Sequence, residues 1–156
     1  MMIIERVKEE EIEEVSRMCR RSAVESMVPF YAPSVVEECV NNALSPEALE
    51  KRMSWTHFYV AKIDGKIVGC GAIGPFWGSL DESSLFTIYV DPDEQGKGIG
   101  RKIIEVLEND EWGKRAKRIQ IPAAIPAIPF YKKCGYEHRA NKMTFEDGHF
   151  EMEKFM

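Results

Sequence analysis

A chain of 156 residues can bury a real core in one domain, and 44% apolar with 30% charged residues is an ordinary globular balance. The net charge of −5 argues against a general nucleic-acid partner, and the basic run Lys114–Arg118 reads as a solvated helix end. The longest uncharged stretch, Ile67–Leu80, is broken by glycines and a proline, so no membrane partner is expected; no charged start leads into an apolar run, so no signal peptide is expected either and a cytoplasmic location is.

Met2–Val7 is short and β-branched, a first strand. Glu9–Met27 then puts Ile12, Val15, Cys19, Ala23 and Met27 on one helical stripe. Pro29–Pro33 breaks that pattern, and a second helix follows with Val36, Cys39, Val40 and Ala43 expected inward. Ser45-Pro46-Glu47 reads as an N-cap followed by proline at the first helical position, opening a third helix to Met53. From His57 the period changes to two. His57–Ile63 and Lys66–Gly74 flank Asp64-Gly65, a tight-hairpin signature. Ser84–Val90 is the next strand, and it ends at Asp91-Pro92. A helix begins near Gly98 with Ile99, Ile103, Ile104 and Leu107 as its apolar stripe. Arg118–Ile121 reads as a buried strand and Pro126–Lys133 as a short helix. Tyr136–Arg139 and Phe150–Phe155 close the chain as strands, with Asp147-Gly148 turning between them. Hairpins mixed with strand–helix–strand crossovers give the α/β (α+β) class: one domain over 1–156, with a mixed sheet and helices on its faces. The four cysteines, Cys19, Cys39, Cys70 and Cys134, form no Cys-x-x-Cys pair and read as reduced, buried thiols, with no metal site.

The most informative stretch runs from Tyr89 to Lys102. A strand stops, and a helix starts inside a run of glycines at 96, 98 and 100. The unpaired N–H groups of a helix's first turn, with its dipole, form an anion site. Glycines let backbone approach phosphate oxygens and take angles that other residues avoid. Lys97, Arg101 and Lys102 add positive charge. Spacing selects among phosphate ligands. No register supplies Gly-x-x-x-x-Gly-Lys-Ser/Thr. Gly-x-Gly-x-x-Gly fails from Gly96, where the third glycine comes one residue early, and from Gly98, where Ile103 stands in its place.

Gln95, Gly98 and Gly100 do spell Gln-x-x-Gly-x-Gly, and Ala127-Ile-Pro-Phe-Tyr-Lys-Lys-Cys-Gly-Tyr136 lies one strand downstream. With these two motifs the chain resembles the GNAT superfamily of N-acetyltransferases, from the strand near His57 to Met152-Glu-Lys154 and least in the first fifty residues. The resemblance implies a mostly antiparallel mixed sheet whose strands splay around acetyl-CoA as co-substrate. It implies direct transfer of the acetyl group to a primary amine of a small molecule or peptide. The diphosphate would lie on Gln95, Gly96, Lys97, Gly98, Ile99, Gly100 and Arg101. Backbone groups of the strand through Ile88, Tyr89 and Val90 would meet the pantetheine arm. Tyr131 would present its hydroxyl to the departing sulfur.

Two departures from the pattern stand out. Ser84 occupies the place where relatives often carry a glutamate base. Asp81 and Glu82 lie just upstream, and Glu82 is the candidate retained; His57 and a water chain are the others. Ala124 stands where relatives often hold the pantetheine with asparagine or serine, so a cofactor contact there falls to backbone. Phe30, Tyr31, Phe76 and Trp77, rimmed by Glu37, Glu38, Asp81 and Glu82, are the expected walls of an amine pocket. The strand Phe150–Met156 offers a surface for a homodimer, a state the sequence leaves open. Two other readings stay open: a coenzyme A-binding regulatory or interaction domain without transfer, and a module for another phosphate ligand.

Overall fold

The structure, a computed structural model, describes residues 1–141, 145–146 and 149–156, so the expected turn at Asp147-Gly148 lies outside the described residues. Strand β1 (Met2–Arg6) leads through a 3₁₀ turn at Glu9–Glu11 into α1 (Ile12–Met27). Helix α2 (Pro33–Glu38) runs on into a π turn at Cys39–Ala43, and α3 (Pro46–Trp55) follows. Next come β2 (His57–Ile63), β3 (Lys66–Pro75), β4 (Glu82–Val90), α4 (Ile99–Glu108) and α5 (Glu111–Lys114). The chain closes with β5 (Arg118–Ala123), a 3₁₀ turn at Ile125–Ala127, α6 (Ile128–Lys133), β6 (Glu137–His138), β7 (Phe145–Glu146) and β8 (His149–Phe155). No helix among the described residues is long and apolar enough to cross a membrane.

Local chemistry accounts for most boundaries. Ser45 Oγ accepts from the Ala48 amide at 3.2 Å, and Pro46 sits at the first helical position of α3. Asp64 and Gly65 both take positive φ between β2 and β3, the two-residue turn that matches strand twist. In α2 the expected inward face is corrected. The Leu44 amide donates to the Cys39 carbonyl at 3.1 Å, an i→i−5 bond that widens the last turn. Leu44 is thereby buried while Ala43 is exposed. The basic run Lys114–Arg118 is a solvated helix end only in part: Lys114, the last residue of α5, and Lys117 are exposed, but the two arginines are engaged. Arg115 donates to the Ser79, Leu80 and Glu82 carbonyls, and Arg118 is buried on β5.

The eight-stranded sheet has the order β1-β2-β3-β4-β5-β8-β6, with β7 on β8. Every pairing is antiparallel except β4 with β5. Helices cover both faces. On one, Ile99, Ile103 and Leu107 of α4 and Tyr131 of α6 pack on Leu85, Ile119, Ile121 and Met152. On the other, Ile12, Val15, Cys19 and Ala23 of α1 join Val36 and Leu49 over Phe58, Val60 and Cys70. Cys19 and Cys70 are buried thiols with sulfurs 3.4 Å apart, whereas Cys39 and Cys134 are half-buried. Strand β8 is paired by β5 on one edge and, over much of its length, by β6 and β7 on the other.

Candidate active site

The parallel pairing of β4 with β5 covers only Glu82–Ser84 against Arg118–Gln120. Beyond Ser84 the two strands part. One cause is in β4 itself: between Phe86 and Tyr89 its register against β3 slips by one residue, and Thr87 takes φ +55°. A bulge of this kind bends the strand and re-aims its edge. Thr87 carries a β-branched side chain at a left-handed φ, a strained position that no glycine marks in the sequence.

The alternation of ladder bonds then decides which backbone groups face the gap. The Asp91 amide donates to the Val68 carbonyl at 2.8 Å, so Asp91 and, two residues back, Tyr89 point their backbone groups at β3. Val90, between them, turns its groups toward the gap, and its carbonyl accepts from Gln95 Nε2 at 3.1 Å. Ile88 and Val90 pack their side chains on the α4 face. Tyr89 does not fit the expectation. Its backbone belongs to the β3 ladder, its ring lies in the core under α1, and burial pushes its phenol well above the ordinary value.

At the far end of the gap stands the turn into α4. Gly96 and Gly98 take φ of +80° and +76°, and Gly98 caps the helix. The first i→i−4 bond runs from the Lys102 amide to the Gly98 carbonyl, so the Ile99, Gly100 and Arg101 amides precede it and point out of the helix end. Gly100 serves a different purpose: a Cβ there would come within 2.9 Å of the Phe130 ring. Its absence lets α6 close against α4. The cations are arranged less simply than expected. Lys97 pairs with Glu94 at 2.6 Å, Arg101 donates to the Lys133 carbonyl at 2.9 Å, and Lys102 faces a surface hollow beside Met2 and Ile4.

Tyr131 is buried, with the Phe130 and Tyr136 rings at centroid distances of 5.2 and 6.3 Å. The Tyr136 hydroxyl donates to Glu108 at 2.9 Å, whereas the Tyr131 hydroxyl makes no hydrogen bond among the described residues. Burial pushes the Tyr131 phenol far above its usual value, so it stays protonated and able to donate. Ala124 caps the 3₁₀ turn, and its carbonyl accepts from Ala127 at 2.9 Å. The next amide, Ile125, donates to the Tyr31 hydroxyl at 2.9 Å, which ties the helical layer to the end of β5.

The candidate bases are corrected. Glu82 lies at the closed end of the gap, where Arg118 Nε donates to it at 2.6 Å and holds its pKa below the ordinary value. An ion-paired carboxylate with a lowered pKa is a poor proton acceptor. His57 is fully engaged: its Nδ1 donates to Asp110 at 2.7 Å and its Nε2 accepts from Trp112 Nε1 at 3.2 Å. Ser84 is buried, with its hydroxyl on the Leu85 carbonyl. Of the expected pocket walls, Tyr31 reaches the end of β5 and Phe76 lies under Arg118, while Trp77 is 90% exposed and points away from the fold.

Residues 54–138, more than half of the chain, match the family model described as acetyltransferase (GNAT) domain. The chain belongs to the GNAT acetyltransferase family. It is 35% identical over 88 residues to an amino-acid acetyltransferase of Mycobacterium tuberculosis, covering 54% of this chain and 45% of that one. It is 36% identical over 75 residues to the ribosomal protein bS18-alanine N-acetyltransferase of Escherichia coli, covering 44% and 51%. The match thus spans about half the length, or less, of these relatives. In fold, the chain is similar over its whole length to the PaiA N-acetyltransferase of Thermoplasma acidophilum in complex with coenzyme A, with a TM-score of 0.86 at 19% identity and 99% of that chain covered. It is also similar to N-acetylglutamate synthase from Neisseria gonorrhoeae complexed with coenzyme A and N-acetyl-glutamate, with a TM-score of 0.73 at 16% identity, covering 99% of this chain and 35% of that one. For this GNAT chain the glycine turn and the tyrosine of α6 were legible in sequence. The bulge at Thr87 and the Tyr31–Ile125 link were not, because neither has a spacing signature.

Proposed function

We propose that this GNAT chain is an N-acetyltransferase that moves an acetyl group from acetyl-CoA to a primary amine by direct attack. One observation carries the reading. The β4–β5 ladder ends after three pairs, β4 runs on to a glycine turn with outward-facing helix amides, and α6, one crossover later, carries a buried phenol whose hydroxyl makes no hydrogen bond among the described residues. A diphosphate suits the turn, because amides and the helix dipole attract anions without a paired cation. The pantetheine amides suit Val90, whose backbone groups face the gap for want of a strand partner.

The thioester supplies an activated acyl carbon. Backbone N–H groups of β4 near the bulge would polarise its carbonyl as charge develops on oxygen. The ammonium first gives one proton to solvent; the neutral nitrogen attacks that carbon, the carbon–sulfur bond breaks, the Tyr131 hydroxyl donates its proton to the departing sulfur, and the new amide nitrogen sheds its second proton to water. The phenolate then regains a proton from water. No carboxylate needs to enter this sequence through Glu82, which stays paired with Arg118.

The test is calorimetric titration with coenzyme A, followed by thiol release from acetyl-CoA across a panel of amines. Coenzyme A binding with amine-dependent thiol release is the expected result. Binding without release by any amine would leave only a coenzyme A-binding domain, and no binding would remove both.

A further inference from the structure

On β4, β5 and β8, residues two apart share a face, so the registers place Ser84 and Phe86, Gln120 and Pro122, and Glu151 and Glu153 on the side of α1–α3. Gln120 is 6% exposed, and among the described residues its Oε1 has no donor. Glu151, opposite Pro122, lies diagonally one step from Gln120, and its buried Oε2 also lacks a donor among the described residues. Its other oxygen meets His149 Nε2 at 3.0 Å. The neighbouring carboxylates are in a different condition. Arg118 takes both Glu82, at 2.6 Å, and Glu153, at 3.1 Å, and Glu153 also accepts from the Ala140 amide at 2.9 Å. Arg52 is stacked 4.3 Å over the Phe86 ring. Arg118 is therefore spent on its own carboxylates and Arg52 lies on aromatic rings, and Gln120 Oε1 and Glu151 Oε2 remain as two acceptors on one face without a donor among the described residues.

We infer that Gln120 and Glu151 form the subsite that holds the ammonium of the acceptor substrate, so that the enzyme selects aliphatic, cationic amines over neutral aromatic ones. This rests on the transfer reading above. Both orphaned atoms, a carboxamide oxygen and a carboxylate oxygen, only accept, so their partner must donate, and a buried carboxylate oxygen left without a donor is costly even with His149 on its sister oxygen. An ammonium has three donors and the compensating charge. The position fits as well: Ser84–Gln120 is the last pair before β4 leaves β5, and Pro122–Glu151 lies one step further, at the mouth of the gap. The Tyr31 hydroxyl, on the Ile125 amide, stands at the same end of β5.

The experiment measures acetyl-CoA thiol release with n-butylamine, spermidine and a tripeptide bearing a free α-amine, against aniline as the neutral nucleophile. Glu151→Gln should raise the KM of the three aliphatic amines by about tenfold or more, and Gln120→Leu several-fold, because each loses a bond to a charged group. Coenzyme A affinity should stay within twofold of the wild type, and the loss with aniline, which brings no charge to the subsite, should be clearly smaller than the loss with butylamine. Gln120→Leu should melt no lower than the wild type, since it removes an orphaned acceptor, so it keeps the test valid if Glu151→Gln does not fold. An active wild type with both variants within twofold on butylamine overturns the subsite and leaves the transferase reading standing. Equal losses on butylamine and aniline also overturn it. A wild type that binds coenzyme A but acetylates no amine overturns both.

Discussion

Two polar clusters lie on the same sheet, and they differ in whether their bonds are complete. Around Asp110, beneath α5, every group has a partner: the carboxylate, 3% exposed in its side chain, receives His57 at 2.7 Å, the Tyr59 hydroxyl at 2.5 Å and the Trp112 amide at 2.9 Å. His57 in turn accepts from Trp112 Nε1. Around Gln120, one sheet half away, two acceptors have none among the described residues. The strands tell the same story: β1 to β4 pair along most of their lengths, interrupted only by bulges, while β4 and β5 share only three residue pairs. A saturated cluster holds structure together. An unsaturated one, beside a gap in the sheet, has bonding capacity left for a ligand.

The largest effect expected from breaking this contrast is on the saturated side. Asp110→Ala removes the cap of α5 and leaves the half-buried His57 and Tyr59 donors without their acceptor, which should cost about 1–3 kcal/mol and lower the melting temperature by roughly 3–10 °C. Burial alone would raise the Asp110 pKa, but the bonds from Tyr59, the Trp112 amide and His57 outweigh it and hold the pKa below the ordinary value. That stabilisation is therefore present above the unfolded aspartate value near ~3.9 and is lost as pH falls through the lower folded value. Melting curves from pH 7 to pH 2 should show wild type and Asp110→Ala converging only at the acid end. A constant gap would mean the carboxylate's charge is not what the cluster uses.

Next comes the gap itself. Tyr131→Phe keeps the ring packed against Phe130 and Tyr136 and removes only the hydroxyl. Turnover should fall by roughly a hundredfold with coenzyme A affinity unchanged. Unaltered turnover would strip Tyr131 of its role as proton donor. Gly98→Val tests the other end: a β-branched residue at φ +76° should cost about 1–2 kcal/mol in stability and weaken coenzyme A binding about tenfold, read by calorimetry. A variant that melts lower yet binds normally would separate the turn's conformation from anion binding.

Most of the saturated half was legible in the sequence, and the reason is locality. Ser45-Pro46, Asp64-Gly65 and the stripe Ile99–Leu107 each specify an element through neighbours within a few residues. The glycine turn was legible for the same reason. What the sequence withheld depends on partners far along the chain. Glu82 was a reasonable base until Arg118, 36 positions away, was found on its carboxylate. His57 was a candidate base until Asp110 and Trp112 were found on its two ring nitrogens. The uneven run Arg118-Ile-Gln-Ile121 did contain one hint: a glutamine inside an apolar strand has to be answered by something. Strand pairing alone shows that nothing among the described residues answers it. Thr87 is the extreme case, since its left-handed φ follows from fitting β4 between β3 and β5 rather than from any preference of threonine.

The smallest predicted effect concerns the tether between the halves. Tyr31 leaves the loop after α1 and accepts from the Ile125 amide, 94 residues away, just past the end of β5. Tyr31→Phe keeps the ring but removes the oxygen, leaving that amide to water. The cost should be about 0.5–1.5 kcal/mol, or a fall of roughly 2–5 °C in melting temperature. If the link only stabilises, kinetics with butylamine will be unchanged at temperatures where the variant is folded. If it also sets the width of the gap's mouth, the amine KM should rise with kcat nearly constant, because Tyr31 lies beside the ammonium subsite and not beside the phenol of α6. Hydrogen exchange at Ile125 supplies the check on cause: protection there should drop in the variant while protection along β2 and β3 stays as it was. A loss spread evenly over the sheet would mean that the two halves unfold together and that the contrast between them belongs to bonding alone, not to local stability.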